Sequence, residues 1–134
     1  MKQFIYLLLI FSSFLLKAQD TNKKVKSPQI VTKLKIGKKA TFGNKSIHFI
    51  KVTEDSRCPK GVSCVWAGQA KILIGLYEND TLLEEKEIII EIPNKSKELL
   101  KSIEKTIYGY NLTPYPTNSE KIDPSTYYLE LLVK

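Results

Sequence analysis

The residues rarest in this chain, and with them its only thiols, crowd into one stretch, EDSRCPKGVSCVWAG, from Glu54 to Gly68. It holds both cysteines, the only tryptophan and, at Arg57, the only arginine among 21 basic residues. Redox chemistry normally uses a CxxC pair, in which one thiolate is stabilised beside a helix N-terminus. Here five residues separate Cys58 from Cys64, and the surroundings read as strands and turns. A metal site needs three or four ligands. The chain offers one histidine, His48, within a strand pattern, and two cysteines with a simpler use. That use is a Cys58–Cys64 disulfide, with Pro59 and Gly61 favouring the tight turn it would close. No nucleophile-base set, HExxH helix or phosphate-cradling glycine loop is present. The reading is therefore of a non-enzymatic protein with no metal and no cofactor.

The same stretch contains the candidates for recognition. The disulfide would hold rigid a tip made of Pro59, Lys60, Gly61, Val62 and Ser63, and preorganisation lowers the entropic cost of binding. With Lys60 at its apex, such a loop could also enter a trypsin-like protease cleft. Arginine presents a planar fork that grips a carboxylate through two hydrogen bonds, which lysine cannot copy. A lone Arg57 near Asp55 thus points to geometry that needs the fork. Asp55 could alternatively cap backbone N–H groups of a turn. Trp66 is read as a core aromatic packed under the disulfide, on the strand leading into Ala70; an exposed Trp66 would mark a ligand platform instead. Together with Gly68, these residues divide into a structural set (Asp55, Arg57, Trp66, Gly68) and a candidate binding surface (Arg57, Pro59–Ser63, Trp66).

The disulfide reading depends on an oxidising compartment, and the first residues point to one. MKQFIYLLLIFSSFLLKAQD has a basic start and an apolar run too short to span a bilayer, the layout of a secretory signal peptide over residues 1–18. No cysteine follows the run, so a lipid anchor on a mature N-terminal cysteine is not expected. Residues 19–28 read as a flexible basic leader, and 29–134 as one domain large enough to bury a core. The mature chain keeps 19 basic and 14 acidic residues, a formal charge of +5. Its lysines are scattered and interleaved with glutamates. That argues against nucleic acid and for at most weak membrane-surface association. The partner is read as a protein or envelope component, and the chain as a monomer.

The pattern VTEDSRCPKGVSCVWAG, followed by an alternating strand, YNLTPYP and a final YYLELLVK, resembles a group of small exported proteins and lipoproteins found notably among the Bacteroidetes. The resemblance rests on Asp55, Ser56, Arg57, Cys58, Pro59, Cys64, Trp66 and Gly68. It implies export and a compact β domain but no activity or ligand. Asp80-Thr81-Leu82 also resembles the short O-glycosylation signal of that phylum, at a predicted turn.

The elements that must position these residues are strands. Ile30, Thr32, Leu34 and Ile36 share one face of the first. A hairpin turning at Gly43-Asn44 leads to Ile47, Phe49 and Lys51 opposite His48, Ile50 and Val52. Ala70, Ile72, Ile74 and Leu76 alternate with Lys71, Leu73, Gly75 and Tyr77, and Asn79-Asp80 turn into TLLEEKEIIIEIP. Tyr108, Tyr110 and Leu112 are read as sharing a face, as are Tyr127, Leu129, Leu131 and Val133. Residues 94–104, with Leu99, Ile103 and Ile107 four apart, read as a loop with a helical turn. The fold class is all-β: a seven-strand antiparallel Greek-key sandwich of immunoglobulin-like type, with a small closed barrel as alternative.

Overall fold

The computed structural model describes residues 30–118 and 120–134; the signal peptide and leader read from the sequence lie outside them. Eight strands form: β1 (Ile30–Lys35), β2 (Lys39–Phe42), β3 (Lys45–Asp55), β4 (Gln69–Glu78), β5 (Thr81–Glu91), β6 (Lys97–Lys101), β7 (Thr106–Thr113) and β8 (Tyr128–Val133). They make two four-stranded antiparallel sheets, ordered β1-β8-β7-β6 and β2-β3-β4-β5, packed as a sandwich and not closed into a barrel.

Period-2 patterning explains the central strands. Ala70, Ile72, Ile74 and Leu76 of β4 are buried, as are Leu129 and Leu131 of β8. Most lie opposite an apolar partner on a neighbouring strand, such as Phe49 against Ile74 or Leu112 against Leu129. These cross-strand pairs are the units that stabilise a sheet. The β4–β5 turn forms at Asn79-Asp80, whose φ angles of 49° and 61° suit a two-residue hairpin loop.

Bulges account for the departures from simple alternation, because one extra residue moves every later side chain to the other face. Register shifts in β3 fall between Phe49 and Lys51 and between Val52 and Glu54. Ile47 and Phe49 stay inside, Lys51 does not share their face, and Val52 turns inward opposite Ile72. After the second shift Asp55 stands opposite the buried Ala70, so its carboxylate faces the space between the sheets. A shift in β7 between Gly109 and Asn111 separates the exposed Tyr110 from the buried Leu112, so the face expected for Tyr108, Tyr110 and Leu112 is broken.

The segment read as a loop with a helical turn contains strand β6. A shift between Glu98 and Leu100 lets Leu99 and Leu100 both reach the interior, which disguises the strand period. Leu99 packs over Gly109, where a Cβ would come within 3.1 Å of it. Ile103 sits fully exposed in the β6–β7 turn, so its spacing from Leu99 reflects no helical face.

Candidate functional site

The stretch from Ser56 to Gly68 is the long connection between β3 and β4. Its two limbs continue the hairpin: Ser56 N and Oγ both donate to Gln69 O at 2.9 Å, and Cys58 N donates to Ala67 O at 2.9 Å. The limbs approach so closely that a Cβ on Gly68, at φ +75°, would lie 1.9 Å from Ser56 O and 2.8 Å from Arg57 Cα. Only glycine meets both demands, which gives Gly68 its structural task. Cys58 and Cys64 are joined by a disulfide with their Cα atoms 6.0 Å apart.

Beneath this connection Arg57 is buried, with 3% of its surface exposed. Its Nε and Nη2 donate to Asp55 Oδ1 and Oδ2 at 2.8 and 2.7 Å, the two-pronged grip that the lone arginine suggested. Nη1 also donates to Leu112 O at 2.6 Å and Nη2 to Pro114 O at 3.0 Å. From the other sheet, Tyr127 donates its hydroxyl to Asp55 Oδ2 at 2.8 Å. The guanidinium thus ties the end of β3 to the end of β7, and its counter-ion is tied to the residue before β8.

The electrostatics follow from this packing. Burial is the largest single influence on Asp55 and opposes its ionisation. Hydrogen bonds from Arg57 and Tyr127, with the Arg57 charge, together outweigh burial and hold the carboxyl below its ordinary value. For Tyr127, burial, the bond to Asp55 and the negative charge of Asp55 all favour the neutral phenol, raising its pKa to about 12.

A second strap reaches the tip from Tyr115–Asn118. Tyr115 donates its hydroxyl to Cys58 O at 2.7 Å. Lys60 N donates to Pro116 O at 3.0 Å, and Asn118 N donates to Lys60 O at 2.9 Å. The Tyr115 ring centroid lies 5.0 Å from the Arg57 guanidinium carbon and 5.8 Å from Lys60 Nζ. Gly61, at φ +81°, lies against Asn118, whose Oδ1 would be 2.6 Å from an added Cβ. Between the straps and the Arg57–Asp55 pair is an open cavity of about 420 Å³, lined also by Pro59, Ile122 and Tyr127.

Structure therefore divides the sequence candidates in two. Arg57 and Gly68 are buried, while Asp55, Cys58 and Pro59 are half-buried. Lys60, Gly61, Val62, Ser63, Cys64 and Trp66 are exposed. Trp66 is 61% exposed and lies on the connection, outside β4, so it is not the core aromatic packed under the disulfide. The paired limbs end at Cys58 and Ala67, so Trp66 lies past the last hydrogen-bonded pair, in the part of the connection that stands outside the sandwich.

Sequence reasoning missed three participants. Val65, fully exposed beside Trp66, was hidden among ordinary strand-like residues. Tyr127 read as a core residue, with no sign that its hydroxyl meets Asp55. Tyr115 lies in YNLTPYP, where its flanking prolines were the available signal of a special backbone path. His48 stands apart from the site, on β3 opposite Gly75, with its ring 6.4 Å from that of Tyr77. Among the described residues, no three His, Cys, Asp or Glu side chains gather as a metal site.

Compared with known proteins, the chain matches no family model, no curated protein and no solved structure.

Proposed function

We propose that this chain is an exported, non-catalytic binding module of the cell envelope, and that its contact surface is the cross-linked tip from Lys60 to Trp66. One observation carries the reading: the sole tryptophan and its neighbour Val65 stand exposed on a segment held by a disulfide, a buried arginine and a tyrosine strap. A large aromatic left in water on a rigid support matches the make-up of interface hot spots. Preorganisation means that little entropy is lost when a partner docks. Export rests on the N-terminal pattern and agrees with the disulfide. The partner is a protein or another envelope component, met by a monomer.

Protease inhibition through Lys60 fits the geometry less well. A substrate-like loop must offer its carbonyl to the enzyme's oxyanion hole, whereas Lys60 O and N are both bonded to the Tyr115–Asn118 strap. The absence of inhibition across a panel of secreted serine proteases is the expected result. Nanomolar inhibition abolished by Lys60→Ala would replace the binding-module reading.

The test is site-specific photo-cross-linking in the native envelope, with the photoreactive residue at Val65 or, as a control, at exposed Glu85. A dominant adduct from position 65, lost in Trp66→Ala and missing from position 85, is expected. Equal labelling from both positions would refute the tip as contact surface.

A further inference from the structure

A different part of the molecule has the makings of a ligand site. β1 and β2 are the edge strands of opposite sheets, joined only by the turn Ile36–Lys38. Gly37, at φ +79°, donates its N–H to Phe49 O there. The two strands therefore diverge from one corner, and the sandwich lies open between them as a cleft of about 700 Å³. Its floor is apolar: Leu34 belongs to the core, and Ala40 and Phe42 pack against it. Lys33, Lys35, Lys38 and Lys39 line it, and among the described residues no carboxylate does.

Among the described residues, the charged side chains that line the cleft are all lysines, with Glu130 beside one of them. From Ile30 to Thr53 the chain has six lysines and no acidic residue, whereas β5, the opposite edge of the second sheet, has four glutamates and one lysine. Two of the lining lysines have local partners. Lys33 Nζ lies 3.8 Å from Glu130, and Lys39 Nζ lies 3.7 Å from the Tyr77 ring centroid. Among the described residues, Lys35 and Lys38 have no carboxylate within 4.0 Å. Lysines on edge strands also discourage edge-to-edge pairing. That role does not account for Lys38, which sits in the turn, or for the apolar floor.

We infer that the cleft binds a free long-chain carboxylate, with its acyl chain along Leu34, Ala40 and Phe42 and its head group at Lys35 and Lys38. The cleft is open to solvent along one side, so an acyl chain would lie against its apolar wall and stay partly exposed. Charge complementarity sets the sign of the head group, and apolar burial makes affinity rise with chain length.

Calorimetric titration of the purified protein with dodecanoate, below its micelle concentration, tests this. Saturable binding is expected, weaker for octanoate, undetectable for acetate and weaker for dodecanol. Lys35→Glu/Lys38→Glu should weaken dodecanoate binding by about tenfold or more. Lys95→Glu/Lys101→Glu, with the same charge change elsewhere, should leave it unaltered. All four lysines are exposed, so the variants keep the core intact. Absence of saturable binding, acetate binding as well as dodecanoate, or indifference to the Lys35/Lys38 reversal would overturn the inference. So would preference for dodecyl phosphate, or binding of an oligoglutamate peptide in place of dodecanoate.

Discussion

Arg57 shows what a single side chain can organise when its geometry is fully used. Its fork meets both Asp55 oxygens and two carbonyls, that of Leu112 near the end of β7 and that of Pro114 just beyond it. Lysine keeps the charge but cannot satisfy that set, so Arg57→Lys should lower unfolding stability by about 2–4 kcal/mol in urea titrations. The pH dependence is set by the groups beside it. Asp55 has a lowered folded pKa, so its contribution is present above 3.8, the ordinary value, and is lost as pH falls through the folded one. Tyr127 has a raised one: its contribution is complete below 10.0 and is lost as pH rises towards about 12. Tyr127→Phe should remove that alkaline loss and lower mid-pH stability by about 1.5–3 kcal/mol, the range for a hydrogen bond to a charged group. Equal alkaline losses in the two proteins would contradict the assignment. The bidentate role of Arg57 could be read from sequence because one arginine among lysines implies a need for the fork. The other two carbonyl partners could not, since backbone acceptors leave no compositional trace.

At the level of elements, the β3–β4 connection behaves as an extension of its hairpin closed by a disulfide. Removing the cross-link in Cys58→Ser/Cys64→Ser should cost about 2 kcal/mol by chain entropy, read from the urea midpoint. The hairpin bonds from Ser56 to Gln69 should persist in amide exchange. Gly68→Ala should be the more damaging change, because an added Cβ meets backbone that cannot swing aside. A midpoint within experimental error of wild type would rule out that close approach. The same scale explains which elements could be read in advance. β4 was legible because every second residue faces the core without interruption. β6 was not, because a bulge places adjacent Leu99 and Leu100 inside, erasing the period that identifies a strand. Trp66 was misplaced by a sound rule about aromatic burial, applied to a segment that lies past the last hydrogen-bonded pair of its hairpin. Acrylamide quenching should find Trp66, the sole tryptophan, readily accessible though less so than in a short peptide; a protected, blue-shifted emission would put it back in the core.

For the whole molecule, two sheets are fastened at one end by a polar network, while the apolar core holds them elsewhere. The all-β class and most inward faces followed from patterning, but the joining of the sheets at Asp55 depends on two bulges that no residue type announces. On this geometry the Arg57 network makes one rigid unit of the tip, the end of β7 and the residue before β8. Site-resolved hydrogen exchange of wild type and Arg57→Lys measures this directly. Protection should fall together in residues 56–69, 112–118 and near Tyr127, while the distant Lys101–Thr106 turn stays unchanged. A change confined to residues 55–58, with the Tyr115–Asn118 strap and Tyr127 as protected as before, would contradict the claim.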